Sequence, residues 1–230
     1  MRVLADGAAG IAAVATALVT APVLGAAQDG WGATREERLA GMPGDEFVPD
    51  PKMSSTRAIT IDAGPGRVWP WLAQIGMGRG GFDSYDTLEN LVGCRIHSAR
   101  RIVPELQQLR VGQLIRLAPS PGPAYRVGLL DPLRLLVLVG ADTGSRQPDG
   151  DGKAGGLAVS WQWLLLPLDG GRRTRLIARQ RYDYPRRQRL LWRLANPVDF
   201  AMERRMLKSI KARAETAAPS GAGSSTVLSH

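Results

Sequence analysis

Residues Ala158 to Asp183 read AVSWQWLLLPLDGGRRTRLIARQRYD. In the first half Trp161, Trp163 and Leu165 recur at every second position. In the second, Leu176, Ala178, Gln180 and Tyr182 alternate with Arg173, Arg175, Arg179 and Arg181. A period of two is that of a half-buried strand, and Asp169-Gly170-Gly171 between the halves is a hairpin signal. Two long antiparallel strands, Ala158 to Leu168 and Arg173 to Asp183, are expected, with an apolar face turned inward and an arginine face turned out.

Upstream lie shorter runs of the same kind, Gln113 to Ala118, Ala124 to Leu130 and Leu133 to Val139. They are punctuated by Pro119, Pro121, Gly122, Pro123 and Asp131-Pro132. Gly140 to Gly156 is a polar hairpin loop. Earlier still, Thr56 to Asp62 alternates as a strand, and Gly64-Pro65-Gly66 turns the chain into Arg67 to Ile75, where Val68, Trp69, Leu72 and Ile75 recur at helical spacing. Ser84 to Leu91 is a second short helical candidate. Downstream, Asn196 suits an N-cap and Pro197 a first helical position. Val198, Met202, Met206, Ile210 and Ala214 then mark one face of a long amphipathic helix. The order is α+β: a curved antiparallel sheet wrapped around a long C-terminal helix, with two short helices after the first strand.

Residues 54–216 carry this pattern. Residues 217–230, rich in Gly and Ser, read as a disordered tail. Residues 28–53 hold Gly41, Pro43, Gly44, Pro49 and Pro51 and read as a linker packed on the domain surface; Thr34 and Glu37 have capping-box spacing. Residues 1–27 include an uncharged stretch, Gly7 to Ala27, long enough to cross a bilayer as a helix. A membrane anchor, a cleaved signal with Arg2 as its positive region, and an Ala-rich disordered start all fit.

The 230 residues carry a net charge of +9, but Arg172 to Arg213 alone holds 14 Lys and Arg against 3 Asp and Glu. The basicity is therefore local. One cysteine forms no intramolecular disulfide, and with two histidines it cannot complete a four-ligand zinc site. No metal and no cofactor is expected. Gly76-Met77-Gly78-Arg79-Gly80-Gly81 matches a dinucleotide-loop spacing but follows a helix instead of a strand, so it reads as a connector or a mobile loop. Cys94 reads as a small buried residue.

Local strings add a resemblance. Ala58-Ile59-Thr60-Ile61-Asp62-Ala63 with Pro65 and Val68-Trp69 resembles the opening strand and helix of the START/Bet v1-like superfamily, the group of polyketide cyclase/dehydrase and lipid-transport proteins. Trp31-Gly32-Ala33-Thr34, Gly78-Arg79-Gly80-Gly81-Phe82, Ser84-Tyr85-Asp86, Leu88-Glu89-Asn90-Leu91, Ile96-His97-Ser98 and Arg101-Ile102-Val103-Pro104 resemble an uncharacterised actinobacterial subgroup. Asp83 and Thr87 depart from the bulkier residues of that subgroup. The likeness runs from Trp31 to Glu215. It implies a helix-grip fold whose cavity, between sheet and C-terminal helix, takes a hydrophobic or lipid-like small molecule; the apolar N-terminal stretch and the basic patch add the expectation that it does so at a membrane.

On that expectation Tyr125, Val127, Trp161, Trp163, Leu176 and Tyr182 line the sheet side, with Met202 and Met206 facing them from the helix. A cyclase or dehydratase would instead use His97 and Tyr85 as acid-base groups. Arg175, Arg179, Arg181, Arg186 and Arg187 are expected to form an outer cationic patch facing anionic lipid or a protein partner. Nucleic acid is not expected, since no recognition helix and few accompanying aromatics go with the charge.

Overall fold

The computed structural model describes residues 25, 27–81, 101–116, 124–141 and 156–216. Among them the strands are β1 (Met53–Ile61), β2 (Leu114–Arg116), β3 (Ala124–Asp131), β4 (Leu135–Gly140), β5 (Ala158–Leu168) and β6 (Arg173–Asp183). Their order in one antiparallel sheet is β1-β6-β5-β4-β3-β2. The meander β2 to β6 follows from its turns, and β1 closes the far edge by pairing with the last strand, Thr56 opposite Arg179. The helices are α1 (Arg35–Leu39), α2 (Pro65–Ala73) and α3 (Arg189–Thr216). This is the expected α+β helix grip; the second short helix expected over residues 84–91 lies outside the described residues.

Side-chain alternation sets two faces. On the helix side, neighbouring strands align Ser55, Gln180 and Trp161 in one row and Arg57, Ala178 and Trp163 in the next. Met206, Leu207, Ile210 and Ala214 of α3 are buried against this side, together with Val68, Trp69, Trp71 and Leu72 of α2. Pro65 opens α2, where its missing N–H costs no bond.

Two expectations for α3 are corrected. The helix begins at Arg189, so Asn196 and Pro197 lie inside it. Trp192 gives the early turns a partner, its ring 5.0 Å from Tyr182 and 5.6 Å from Tyr184. Asn196 caps nothing; its Nδ2 donates to Asp29 Oδ1 at 3.0 Å. The inward stripe is also rotated. Glu203 is buried on it, whereas Met202 is half-buried and Val198 is exposed.

The outer face of the sheet does not meet solvent at its centre. Residues 28–52 cross the β1 edge, where Trp31 O accepts from Ala58 N at 3.0 Å, and then lie over β6, β5 and β4. Gly32 has φ +71°, and a side chain there would overlap the Ala58 carbonyl, so the crossing needs glycine. Met42 packs with Ala58 and Ile177, and Phe47 with the cluster of Leu135, Val137 and Val139. Thr34 and Glu37 form the expected capping box on α1.

This strap corrects the outward arginine stripe. Arg175 binds Glu37 at 2.7 Å, and Arg179 binds Asp45 at 2.8 Å and the carbonyls of Ala40 and Glu37. Arg181 donates to the carbonyls of Val48 and Pro49. Arg179 is only 2% exposed. Sequence alternation places these three side chains on the outer face, but the strap stands between them and any lipid. Arg186 and Arg187, beyond the strand, are exposed.

Candidate functional site

Among the described residues, the largely apolar interior between sheet and α3 holds a connected group of polar side chains around Glu203. Glu203 projects from α3 and is 2% exposed. Its Oε1 accepts from Trp161 Nε1 at 2.6 Å, and its Oε2 meets Arg57 Nη1 at 2.5 Å. Arg57 Nη1 also contacts Asp199 Oδ2 at 2.9 Å, and Arg57 Nε donates to the Gln28 carbonyl at 3.0 Å. The Phe200 ring lies 5.4 Å from the guanidinium carbon. One fully buried arginine thus joins β1, α3 and the first turn of the strap.

Burial pushes the Glu203 carboxyl up to about 7, outweighing the pull of Arg57 in the other direction, and Asp199 adds to the rise. Burial lowers the basicity of Arg57, but Glu203 and Asp199 together lift it above its ordinary value. Tyr182 is pushed well up, first by burial and then by Asp199, and its hydroxyl donates to Gln180 Oε1 at 3.0 Å. Near neutral pH, Glu203 is therefore the group in this interior able to give or take a proton, while Tyr182 stays a phenol.

The sign of the pH effect follows. An unfolded glutamate titrates near 4.5 and the folded one near 7, so between these values the folded state holds a proton that the unfolded state has lost. Stability should fall as pH rises through that window. The thermal midpoint of the wild type is expected to drop between pH 5 and pH 7, by an amount that Glu203→Gln largely removes. A Glu203→Gln protein with the same pH profile as the wild type would show that another group is responsible.

Around this group stands an aromatic and aliphatic wall. The rings of Trp161 and Trp163 are 4.4 Å apart, and Tyr125 is 6.4 Å from Trp161. Val127, Leu136, Leu138, Leu165, Leu176 and Ala178 complete the buried surface. Trp163 is fully buried and its Nε1 has no hydrogen-bond partner among the described residues; Ser55 Oγ, in the row beside Gln180, has none either. A half-open cleft of about 450 Å³, lined by Lys52, Tyr184, Arg186 and Arg189, lies where β6 passes into α3.

The structure thus brings together Tyr125, Val127, Trp161, Trp163, Leu176, Tyr182 and Met206, with Met202 at the margin. His97 and Tyr85 lie outside the described residues. Sequence reading missed Glu203 and Arg57. The available signal was an acid on the inward side of a basic helix and a lone arginine on the inward side of a strand.

The loop Gly76 to Gly81 is closed on itself by paired bonds between Gly76 and Gly81. Gly80 N donates to Gln74 O, Met77 N to Arg116 O, and Arg79 Nη2 to the Ala73 and Leu106 carbonyls. Its donors serve the protein instead of a phosphate. No group of His, Cys, Asp and Glu able to hold a metal occurs among the described residues, and no helix among them is long and apolar enough to cross a membrane.

No family model matches the chain, and no curated protein matches it. Solved structures similar to it include a protein from Arthrobacter aurescens at 15% identity, with 84% of this chain and 99% of that chain covered and a TM-score of 0.40. A polyketide cyclase-like protein from Corynebacterium glutamicum is similar at 16% identity, covering 69% and 88%, with a TM-score of 0.35. Truncated norcoclaurine synthase from Thalictrum flavum is similar at 11% identity, covering 69% and 92%, with a TM-score of 0.38. The helix grip implied by the START/Bet v1-like resemblance is the architecture of this chain, and it rests on the chain's own strand order, its register and the long α3.

Proposed function

We propose that the chain binds a hydrophobic or lipid-like small molecule that carries one polar group, held between the sheet and α3. The observation that carries this reading is the Trp163 indole, whose N–H is buried in an apolar wall without an acceptor among the described residues. Leaving such a donor unpaired costs about 1–3 kcal/mol, which a ligand carbonyl or hydroxyl would recover. The neighbouring Trp161 N–H is already taken by Glu203, so the two tryptophans are not equivalent. The leucines around them favour an aliphatic body. An enzymatic reading of the cyclase or dehydratase type is supported by Glu203, a carboxyl able to exchange a proton near neutral pH.

Native mass spectrometry of the full chain, as purified from cells and after incubation with oleyl alcohol, tests the binding reading. One retained or added ligand per chain is expected. Trp163→Phe should weaken oleyl alcohol about fivefold, the worth of one hydrogen bond. The same substitution removes the unpaired donor but also buried ring volume, so the ligand-free thermal midpoint should fall modestly and affinities are compared well below it. A wild-type chain that neither retains nor takes up a ligand, or a Trp163→Phe chain with unchanged affinity, would overturn the proposal.

A further inference from the structure

The first half of α3 is apolar on the side turned away from the core. Leu190, Leu191, Leu194 and Val198 are 67%, 63%, 59% and 48% exposed. At 3.6 residues per turn they span about 100° of arc, centred opposite Trp192, Asp199 and Glu203. Soluble helices carry polar residues on that side. Here the polar residues come later on the same stripe, as Arg205 and Lys208, both exposed.

Cations border this stripe. Arg186, Arg187, Arg189 and Arg193 are exposed, and none has a carboxylate partner among the described residues. Arg186 and Arg189 also line the half-open cleft of about 450 Å³, with the Tyr184 ring as a wall. The third cation there, Lys52, is held in place by Asp183 Oδ1 at 2.8 Å and the Tyr184 carbonyl. The cleft can therefore take an anion on two unpartnered guanidiniums, at the start of the helix whose outer side carries the exposed leucines.

We infer that this surface docks on an anionic lipid bilayer, with Leu190, Leu191 and Leu194 entering the acyl boundary and Arg186 and Arg189 holding a lipid phosphate in the cleft. A bare anion would satisfy the arginines but leave the leucines in water. A second protein of neutral charge would cover the leucines but leave the guanidiniums unpaired. A bilayer that is anionic outside and apolar beneath meets both. The docking is independent of the interior ligand, and the two are read by separate measurements.

The test uses the full chain, with Cys94→Ser and an environment-sensitive bimane on Leu194→Cys. On vesicles of phosphatidylcholine with phosphatidylglycerol, the dye should shift to the blue and be quenched by lipids brominated on the acyl chain. Phosphatidylcholine alone, or glycerol phosphate in solution, should do neither. Leu190→Gln with Leu191→Gln should weaken the response about a hundredfold at an unchanged thermal midpoint, since the helix keeps good helix formers and loses only exposed apolar area. Arg186→Gln with Arg189→Gln should weaken it and flatten its dependence on salt. A chain that binds vesicles while the dye stays in water would overturn the inference and assign attachment to another segment. So would a dye that shifts with protein concentration in the absence of lipid, which would make a second copy the occupant.

Discussion

Arg57→Met is expected to lower the free energy of unfolding by about 3–5 kcal/mol, the usual cost of removing one partner from a buried ion pair. The side chain of Arg57 is wholly inaccessible and contacts Glu203, Asp199 and the Gln28 carbonyl. Methionine fills much of the same volume but leaves the Glu203 carboxyl in an apolar interior with only the Trp161 N–H. The remaining acid should escape by staying protonated, so the loss should be smaller at pH 5 than at pH 8. Urea denaturation at both pH values measures this. Adding Glu203→Leu to Arg57→Met should return most of the stability, because the charge left behind is then gone. A single variant that loses less than about 1 kcal/mol would mean that the apolar contacts of Met206, Leu207 and Ile210 hold α3 on the sheet without help from the ion pair.

Arg179→Met should be nearly as costly, by about 3 kcal/mol or more, but with a different signature. Its guanidinium satisfies Thr56 Oγ1 at 3.0 Å, Asp45 Oδ2 at 2.8 Å, and the carbonyls of Ala40 and Glu37 at 2.9 and 2.8 Å. Three of these four acceptors belong to the strap, which the sheet also holds through Arg175, Arg181, the Trp31 carbonyl and apolar side chains such as Met42 and Phe47. Without the arginine, buried carbonyls lose their donors and the strap should open before the sheet does. Limited proteolysis is expected to cut between α1 and β1 in the variant under conditions that leave the wild type whole. The freed outer face, with Val137 and Ile177, should then bind a hydrophobic dye. Equal protease resistance in the two proteins would show that the strap is held mainly by its other contacts, through Arg175, Arg181 and the apolar side chains.

The strand pattern was legible because a period of two survives in every run that packs on one side. The boundaries of β5 and β6 match the alternation residue for residue. The helical stripe was harder. Stepping by four from Val198 to Met202, Met206 and Ile210 gains about 40° at each step, so a line drawn through them drifts around the cylinder. The true inward line runs through Asp199, Glu203, Met206, Ile210 and Ala214, and it passes over an acid that hydropathy alone assigns to solvent. The start of α3 was misread because Asn196-Pro197 imitates a cap, while the stacking of Trp192 on two tyrosines comes from a strand's end and leaves no local trace. The strap was legible as a packed segment, but its grip on Arg179 and Arg181 works largely through backbone carbonyls. Any residue type supplies a carbonyl, so no side-chain pattern reveals which arginines are covered.

The closure of the sheet by β1 sets an order of events in folding. Arg179 and Thr56 meet across 123 positions of sequence, and Arg57 and Glu203 across 146. The hairpins between β3 and β6 close short loops and can form early, whereas β1 and the strap must await the last strand and α3. A ribosome releases the N-terminal segments first, so residues 28–61 leave it long before β6 and α3, their main partners, exist. During synthesis this protein carries an unpaired edge strand and a loose apolar strap, and its most exposed moment comes just before its final helix is made.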